Sequence, residues 1–310
     1  MTPIDEFKLA QQRLLERFGV RAESRFFEVP ALSGPVHVLT SGSGPPVLLV
    51  PGFSDPAAMW APLMARLDGH TVYAVDRPCF GLSGSARYAT QTFRKLATDF
   101  LTQVLHGLGL VRAQIVGNSI GSLWSTWLAI DRPEQVSALA HVGTPAFILE
   151  TSAPMPLRLM SVPPLGRALM RLSPPSPKAV DRFARIVGED LSGVPELRDL
   201  LVAAQKLPGA RDATRDLLHA ALRLRGARPE VALTAAELGR VRQPVLLIWG
   251  GHDVFGAPAT GWRASRFIPD ADLILVPEGG HIPWVQHPGE VAAALGPFLR
   301  RHEIESPLAA

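Results

Sequence analysis

A serine hydroxyl attacks a carbonyl only when a base can take its proton, and the base works best when an acid orients it. Ser119 stands in Val116-Gly117-Asn118-Ser119-Ile120-Gly121-Ser122, a Gly-x-Ser-x-Gly stretch. The apolar run Ala113–Val116 precedes it, and Leu123–Ile130 can continue as a helix until Pro133. Strand, glycine-flanked serine and helix together make the context of a nucleophile elbow. Gly117 and Gly121 let the two backbones approach where a Cβ would clash. The hydroxyl would then project at a helix N-terminus, where free N–H groups and the dipole favour negative charge.

One downstream residue of each remaining type is well placed. Asp253 follows the strand-like run Val245–Gly250, within Gly250-Gly251-His252-Asp253-Val254-Phe255. His281 follows the run Asp272–Val276, within Pro277-Glu278-Gly279-Gly280-His281-Ile282-Pro283. Loops at the carboxyl ends of strands form the crevice of an open parallel sheet, and the order serine, acid, histidine suits such a fold. His252 shares the loop of Asp253 and is poorly placed to bridge it to Ser119. His287 precedes Pro288 at a helix start, where capping or exposure is expected. Asp76 is an alternative acid, but its surroundings read as a structural loop.

The oxyanion of an acyl-transfer intermediate needs two donors. The backbone N–H of Ile120 follows the nucleophile, and Gly52-Phe53, after the third strand, offers the N–H of Phe53. Phe53, Ile120, Phe255 and Trp284 are expected around these groups, giving an apolar acyl or aryl site. Cys79, the only cysteine, has no neighbouring histidine to activate it.

These groups need a scaffold of alternating strands and helices. Strand-like runs occur at Arg25–Val29, Val36–Thr40, Val47–Val50, Thr71–Val75 and Val136–Val142, with helices around Met59–Leu67 and from Thr90 to Gly107. The alternation implies a mostly parallel sheet covered on both faces. Residues 2–18 read as an amphipathic helix, capped by Thr2 and packed on the body, at a dimer contact or at the rim of the site. Between Thr144 and Arg242 the rhythm breaks, prolines cluster, and Lys178–Val187 and Pro195–Lys206 look helical. That stretch is too long for a loop. The organisation expected is an N-terminal helix over 1–24, a core over 25–143 and 243–310, and a helical cap over 144–242. A last helix runs from about Pro288 to His302, and Glu303–Ala310 is expected to fray.

Bulk properties exclude several classes. With 310 residues, 47% hydrophobic and 19% charged, the chain can bury one large core. The net charge of +3 is carried almost wholly by arginine, and no basic run is interleaved with aromatics, so no nucleic-acid surface is expected. No apolar run reaches the ~20 residues of a membrane span, and the charged residues near the start lead us to expect no signal peptide. One cysteine forbids an intrachain disulfide. A cytoplasmic protein, monomeric or homodimeric, without metal or cofactor, is the expectation.

Pro51-Gly52-Phe53, Asp76 to Ser83, Gly117 to Gly121, and Asp253 with Gly280-His281 together resemble the α/β-hydrolase superfamily, in its capped esterase and carbon–carbon-bond hydrolase branch. The resemblance spans roughly residues 25–145 and 243–302. It implies an eight-stranded, mostly parallel sheet with an inserted helical cap, Ser119 as nucleophile, Asp253 as acid, His281 as base, and the N–H groups of Phe53 and Ile120 as oxyanion hole. Several positions depart from the family pattern. Pro51 stands where many members have histidine, Cys79 replaces the first glycine of the Asp-x-Pro-Gly-x-Gly-x-Ser loop, and Ser122 takes a position that is often glycine. Ile282 follows His281 where ring-cleavage-product hydrolases typically carry tryptophan.

The activity expected is hydrolysis of a carboxylic ester through an acyl-enzyme. Carbon–carbon hydrolysis of a ring-cleavage product would need an arginine for the substrate carboxylate, and Arg158, Arg167, Arg171, Arg182 and Arg185 are the candidates. Acyl transfer or perhydrolysis could use the same triad, and a hydrolase-fold binding protein without turnover is the reading of another class. Met160 and Met170, with Leu157, Leu159, Leu165 and Leu169, either line the pocket under the cap or form the cap's own core.

Overall fold

A computed structural model describes residues 1–304. Beyond Ile304, the stretch expected to fray lies outside the described residues.

The chain opens with α1 (Pro3–Arg17), closed at its start by a capping box in which Asp5 N–H donates to Thr2 Oγ1 at 3.2 Å and Thr2 N–H donates to Asp5 Oδ2 at 3.0 Å. There follow β1 (Glu23–Phe27), β2 (Val36–Gly42), β3 (Pro46–Val50), α2 (Ala61–Met64) and β4 (Thr71–Val75). Next come α3 (Phe93–Gly107), β5 (Ala113–Gly117), α4 (Ile120–Asp131) and β6 (Val136–Val142). The helix expected at Met59–Leu67 is instead a short 3-10 turn, Ala57–Trp60, running into the single turn of α2.

The segment after β6 contains α5 (Met155–Met160), α6 (Pro163–Leu172), α7 (Pro177–Ile186), α8 (Pro195–Lys206) and α9 (Ala210–Ala221). A two-residue hairpin, β7 (Leu222–Arg223) and β8 (Gly226–Ala227), and α10 (Ala235–Leu238) complete it. Each of α5 to α8 carries a proline in its first turn, where a missing N–H costs no hydrogen bond. The chain then returns through β9 (Val245–Gly250), α11 (Pro258–Ser265), β10 (Ala271–Val276), α12 (Pro283–Gln286) and α13 (Pro288–Arg301).

Eight strands form one sheet in the order β1-β2-β4-β3-β5-β6-β9-β10. β1/β2 and β2/β4 are antiparallel, and every other pair is parallel. The central strands β3, β5, β6 and β9 are buried at every position, because helices cover both faces. On one face Phe93 and Phe100 of α3 meet Trp124 and Trp127 of α4. On the other, Phe7 and Leu14 of α1, α2, α12 and α13 pack together. α1 also lies along α8, with Lys206 Nζ 2.8 Å from Glu6 Oε2. The parallel register brings the carboxyl ends of β3, β5, β6 and β9 to one edge. The loops that leave this edge carry Phe53, Ser119, Thr144 and Asp253.

Candidate active site

Ser119 lies between β5 and α4 with φ 51° and ψ −115°, a left-handed conformation strained for serine. The turn exists because the two backbones nearly touch. A Cβ on Gly117 would stand 2.7 Å from the Ser122 Cα, and one on Gly121 would strike the Val50 and Pro51 carbonyls. Asn118 braces the turn: its Nδ2 donates to the Val142 carbonyl at 2.7 Å and to the His281 carbonyl at 3.0 Å. The elbow is thereby tied to the end of β6 and to the loop after β10.

His281 and Asp253 meet in that crevice. The His281 Nδ1 lies 2.9 Å from Asp253 Oδ2 and 3.1 Å from Oδ1, and both side chains are buried. Asp253 also accepts from Thr144 N–H at 2.8 Å and from Phe255 N–H at 2.9 Å. Burial alone would raise Asp253, but the imidazole charge and these hydrogen bonds hold its carboxyl below the usual carboxylate range. Burial would likewise lower His281. The facing Asp253 outweighs it, with Glu189 and Asp55 adding to the pull, and the imidazole is held above the ordinary histidine range. The Phe255 ring lies over the imidazole, centroids 4.0 Å apart.

A cavity of about 1100 Å³, its open mouth included, joins these groups. Ser119, Ile120, Phe53, Phe255 and His281 all line it, with Asp253 behind His281. Among the described residues, the N–H groups of Phe53 and Ile120 donate no hydrogen bond to the protein. The far wall is apolar and comes from the segment between β6 and β9, through Leu157, Val180, Phe183, Leu201 and Leu217. Phe183 stacks toward Phe53 with centroids 6.3 Å apart.

Other expected residues lie elsewhere. Trp284 does not line the cavity: α12 turns its ring into the opposite apolar layer, where it stacks on Trp60 at 4.1 Å and donates to the Met59 carbonyl. Met160 and Met170 do not line it either. Met160 packs against the main core, and α6, which carries Met170, contributes nothing to the lining. All five candidate arginines are absent from the lining. Arg167, Arg171, Arg182 and Arg185 are exposed, and Arg158 donates to the Ala153 carbonyl at 2.8 Å. His252 is exposed beside Glu278, and His287 pairs with Glu290 at the start of α13. Asp76 is fully buried with His37 at 2.6 Å and binds the Ala57 and Leu82 N–H groups, which makes it a brace between loops. Cys79 holds φ 70° where the family pattern has glycine, and burial pushes its thiol up. Among the described residues, no group of three or more His, Cys, Asp or Glu is arranged to hold a metal.

Three residues of the site carried no readable signal in the sequence. Asp55 lines the cavity, and burial pushes its carboxyl up to about 6 against the pull of Arg77 and His281. Glu189, between α7 and α8, accepts from Ile282 N–H at 2.7 Å, and burial raises it to about 7. Arg77 is buried behind the loop after β3. Because an ionised Glu189 favours the protonated imidazole, Glu189→Gln is expected to lower the pH at which His281 titrates, read from its ring signals by NMR. The amide oxygen can still accept from Ile282, so the change isolates the charge.

The sequence matches the family model for the alpha/beta hydrolase fold over residues 45–288. The chain belongs to that family and is by class a hydrolase. It is 29% identical over 275 residues to a pimeloyl-[acyl-carrier protein] methyl ester esterase of Shewanella oneidensis, covering 86% of this chain and 95% of that one. It is 28% identical over 272 residues to a 2-hydroxy-6-oxononadienedioate/2-hydroxy-6-oxononatrienedioate hydrolase of Burkholderia vietnamiensis, covering 86% and 91%. Among solved structures, carboxylesterase CesB of Bacillus subtilis superposes with a TM-score of 0.76 at 21% identity, covering 96% of this chain and 99% of that one, which shows the shared fold.

Proposed function

We propose that Ser119, His281 and Asp253 form a nucleophile–base–acid triad, and that the protein hydrolyses carboxylic esters with neutral, apolar acyl or aryl groups. The observation that carries this reading is the lining of one cavity. Ser119, His281 and two unengaged N–H groups share it with an apolar wall, and its charged lining residues are Asp55, Glu189 and His281.

In the reaction, Ser119 Oγ attacks the ester carbonyl and its proton passes to His281 Nε2. Asp253, bonded to Nδ1–H, stabilises the imidazolium. The Phe53 and Ile120 N–H groups receive the oxyanion, as preorganised donors that need no rearrangement. Collapse expels the alcohol with the histidine proton. Water, deprotonated by His281, then releases the acid and restores Ser119. The segment over 144–242 acts as a cap, with Phe183 and Leu217 limiting the acyl group.

The Burkholderia vietnamiensis relative is a hydrolase named for dioates. A dianionic substrate would need a cation, and no arginine or lysine lines this cavity. Ester hydrolysis is therefore favoured. Acyl transfer to an alcohol or peroxide needs only a different second nucleophile and would leave the first half-reaction unchanged. A binding protein without turnover is disfavoured because all three triad positions are filled.

Rates on p-nitrophenyl butyrate and octanoate against p-nitrophenyl hemisuccinate test the reading. The neutral esters are expected to turn over at least ~10-fold faster, since an uncompensated charge is costly to bury. Equal rates would overturn the neutral-substrate reading. Phe183→Ala should shift the preference toward the longer chain.

A further inference from the structure

We propose that Arg77 is a positioning residue for the oxyanion-binding peptide: its guanidinium fixes the Gly52–Phe53 unit so that the Phe53 N–H is presented to the reacting carbonyl. The inference rests on the hydrolase reading above and concerns a residue outside the triad and outside the cavity wall.

Arg77 is the second residue after β4, is fully buried, and directs Nε and Nη2 at one loop, while its buried Nη1 has no hydrogen-bond partner among the described residues. Nε donates to the Pro51 carbonyl at 3.1 Å, and Nη2 donates to the Gly52 carbonyl at 2.7 Å and to the Phe53 carbonyl. No cis peptide occurs among the described residues. In a planar trans unit the C=O and N–H point to opposite sides. A Gly52 carbonyl held by Arg77 therefore turns the Phe53 N–H away from the guanidinium. Ser119 is close by, its Cβ 3.3 Å from where a Cβ on Gly52 would stand.

A flip of this peptide would withdraw the Phe53 N–H and bring the Gly52 oxygen toward the same space. It would also strip a buried guanidinium of an acceptor, which makes the flip costly. The side chain is matched to this task. Three successive carbonyls need a fixed fan of donors, which the guanidinium fork supplies and an ammonium does not. It also lies against Phe80 and Trp124, with Cζ 5.3 Å and 5.1 Å from the ring centroids, and these cation–π contacts favour the observed orientation of the fork. The neighbouring Asp76 holds the far end of the same loop by accepting from Ala57 N–H at 2.6 Å. Two consecutive residues leaving β4 thus clamp both ends of the segment from Pro51 to Ala57. The cation behind the Gly52 carbonyl also polarises that peptide, strengthening its N–H as a donor.

The test uses the full-length protein. Turnover of a neutral p-nitrophenyl ester by the wild type, and its loss in Ser119→Ala, first establish the hydrolase reading; failure at that step indicts the reading rather than Arg77. Arg77→Lys and Arg77→Gln are then compared with the wild type below their melting midpoints. Loss of one oxyanion donor predicts kcat lower by about 10²-fold, with KM within about three-fold. A trifluoromethyl ketone, which forms a tetrahedral adduct on the serine, should lose affinity in step with kcat, while the matching methyl ketone binds as before. Unchanged kcat and trifluoromethyl ketone affinity would overturn the proposal, and so would equal weakening of both ketones, which marks general damage. If neither variant folds, the wild type decides: the Phe53 amide proton should move downfield when the trifluoromethyl ketone adduct forms. An unmoved resonance would overturn the proposal.

Discussion

Ser119→Ala is expected to lower kcat on a neutral aryl ester by about 10⁵-fold, the scale on which single triad deletions act. On the proposed mechanism alanine removes the atom that would form the acyl bond and leaves the cavity and the Phe53 and Ile120 N–H groups in place, so a small residual rate is expected. The variant should melt within a few degrees of the wild type. Its backbone stays at the same strained φ, and among the described residues the lost hydroxyl makes no hydrogen bond, whereas the braces from Asn118 remain. Initial rates and a fluorophosphonate probe check the expectation together, the probe labelling the wild type alone. Turnover within ten-fold of the wild type would remove Ser119 from the role of nucleophile.

For Asp253→Asn the expected loss is about 10⁴-fold, accompanied by a loss of stability that Ser119→Ala does not share. The carboxylate serves three donors: the His281 Nδ1–H and the N–H groups of Thr144 and Phe255. An asparagine amide has one oxygen, so its NH₂ must face either a backbone N–H or the imidazole. Facing the imidazole, it favours the tautomer that carries the proton on Nε2, where Ser119 needs an acceptor. The pH profile carries a second signature. In the wild type Asp253 holds His281 above the ordinary histidine range, so kcat/KM falls as pH drops through that raised value. Without the charge the acid limb should move to lower pH. The stability sign is opposite for the acid itself. Asp253 is held low in the folded state, so its contribution is present above its unfolded pKa and is lost as pH falls through the folded one. An acid limb that stays in place would mean that Asp253 does not set the charge of His281.

Much of this protein is determined over short stretches of its sequence. The strands β3, β5, β6 and β9 are apolar runs bounded by Gly and Pro, and buried parallel strands leave that trace because both faces are covered. The elbow is legible because Gly117 answers a local steric demand, the approach of its backbone to that of Ser122. Asp253 and His281 could be named because each follows such a strand, where the crevice must be.

The tertiary structure decided everything that depends on what covers a residue. Trp284 is three residues from His281, yet Pro283 starts α12 and the ring falls on the far face of the sheet against Trp60. Helical spacing gives α5 and α6 an apolar face without saying which way it points, so it leaves Met160 and Met170 open between pocket wall and cap core, whereas the wall is supplied by Leu157 and Phe183. Glu189 meets Ile282 across 93 residues, and Arg77 meets Gly52 across 25. A buried charge leaves no local pattern, because its burial and its partners are supplied by segments remote in the chain. Backbone preference acts over a few residues, and the apolar periodicity it creates can place a strand or a helix. Only the packed chain brings Arg77 beneath the Pro51–Phe53 carbonyls and Glu189 against the His281 loop, and so fixes the electrostatics of the cavity.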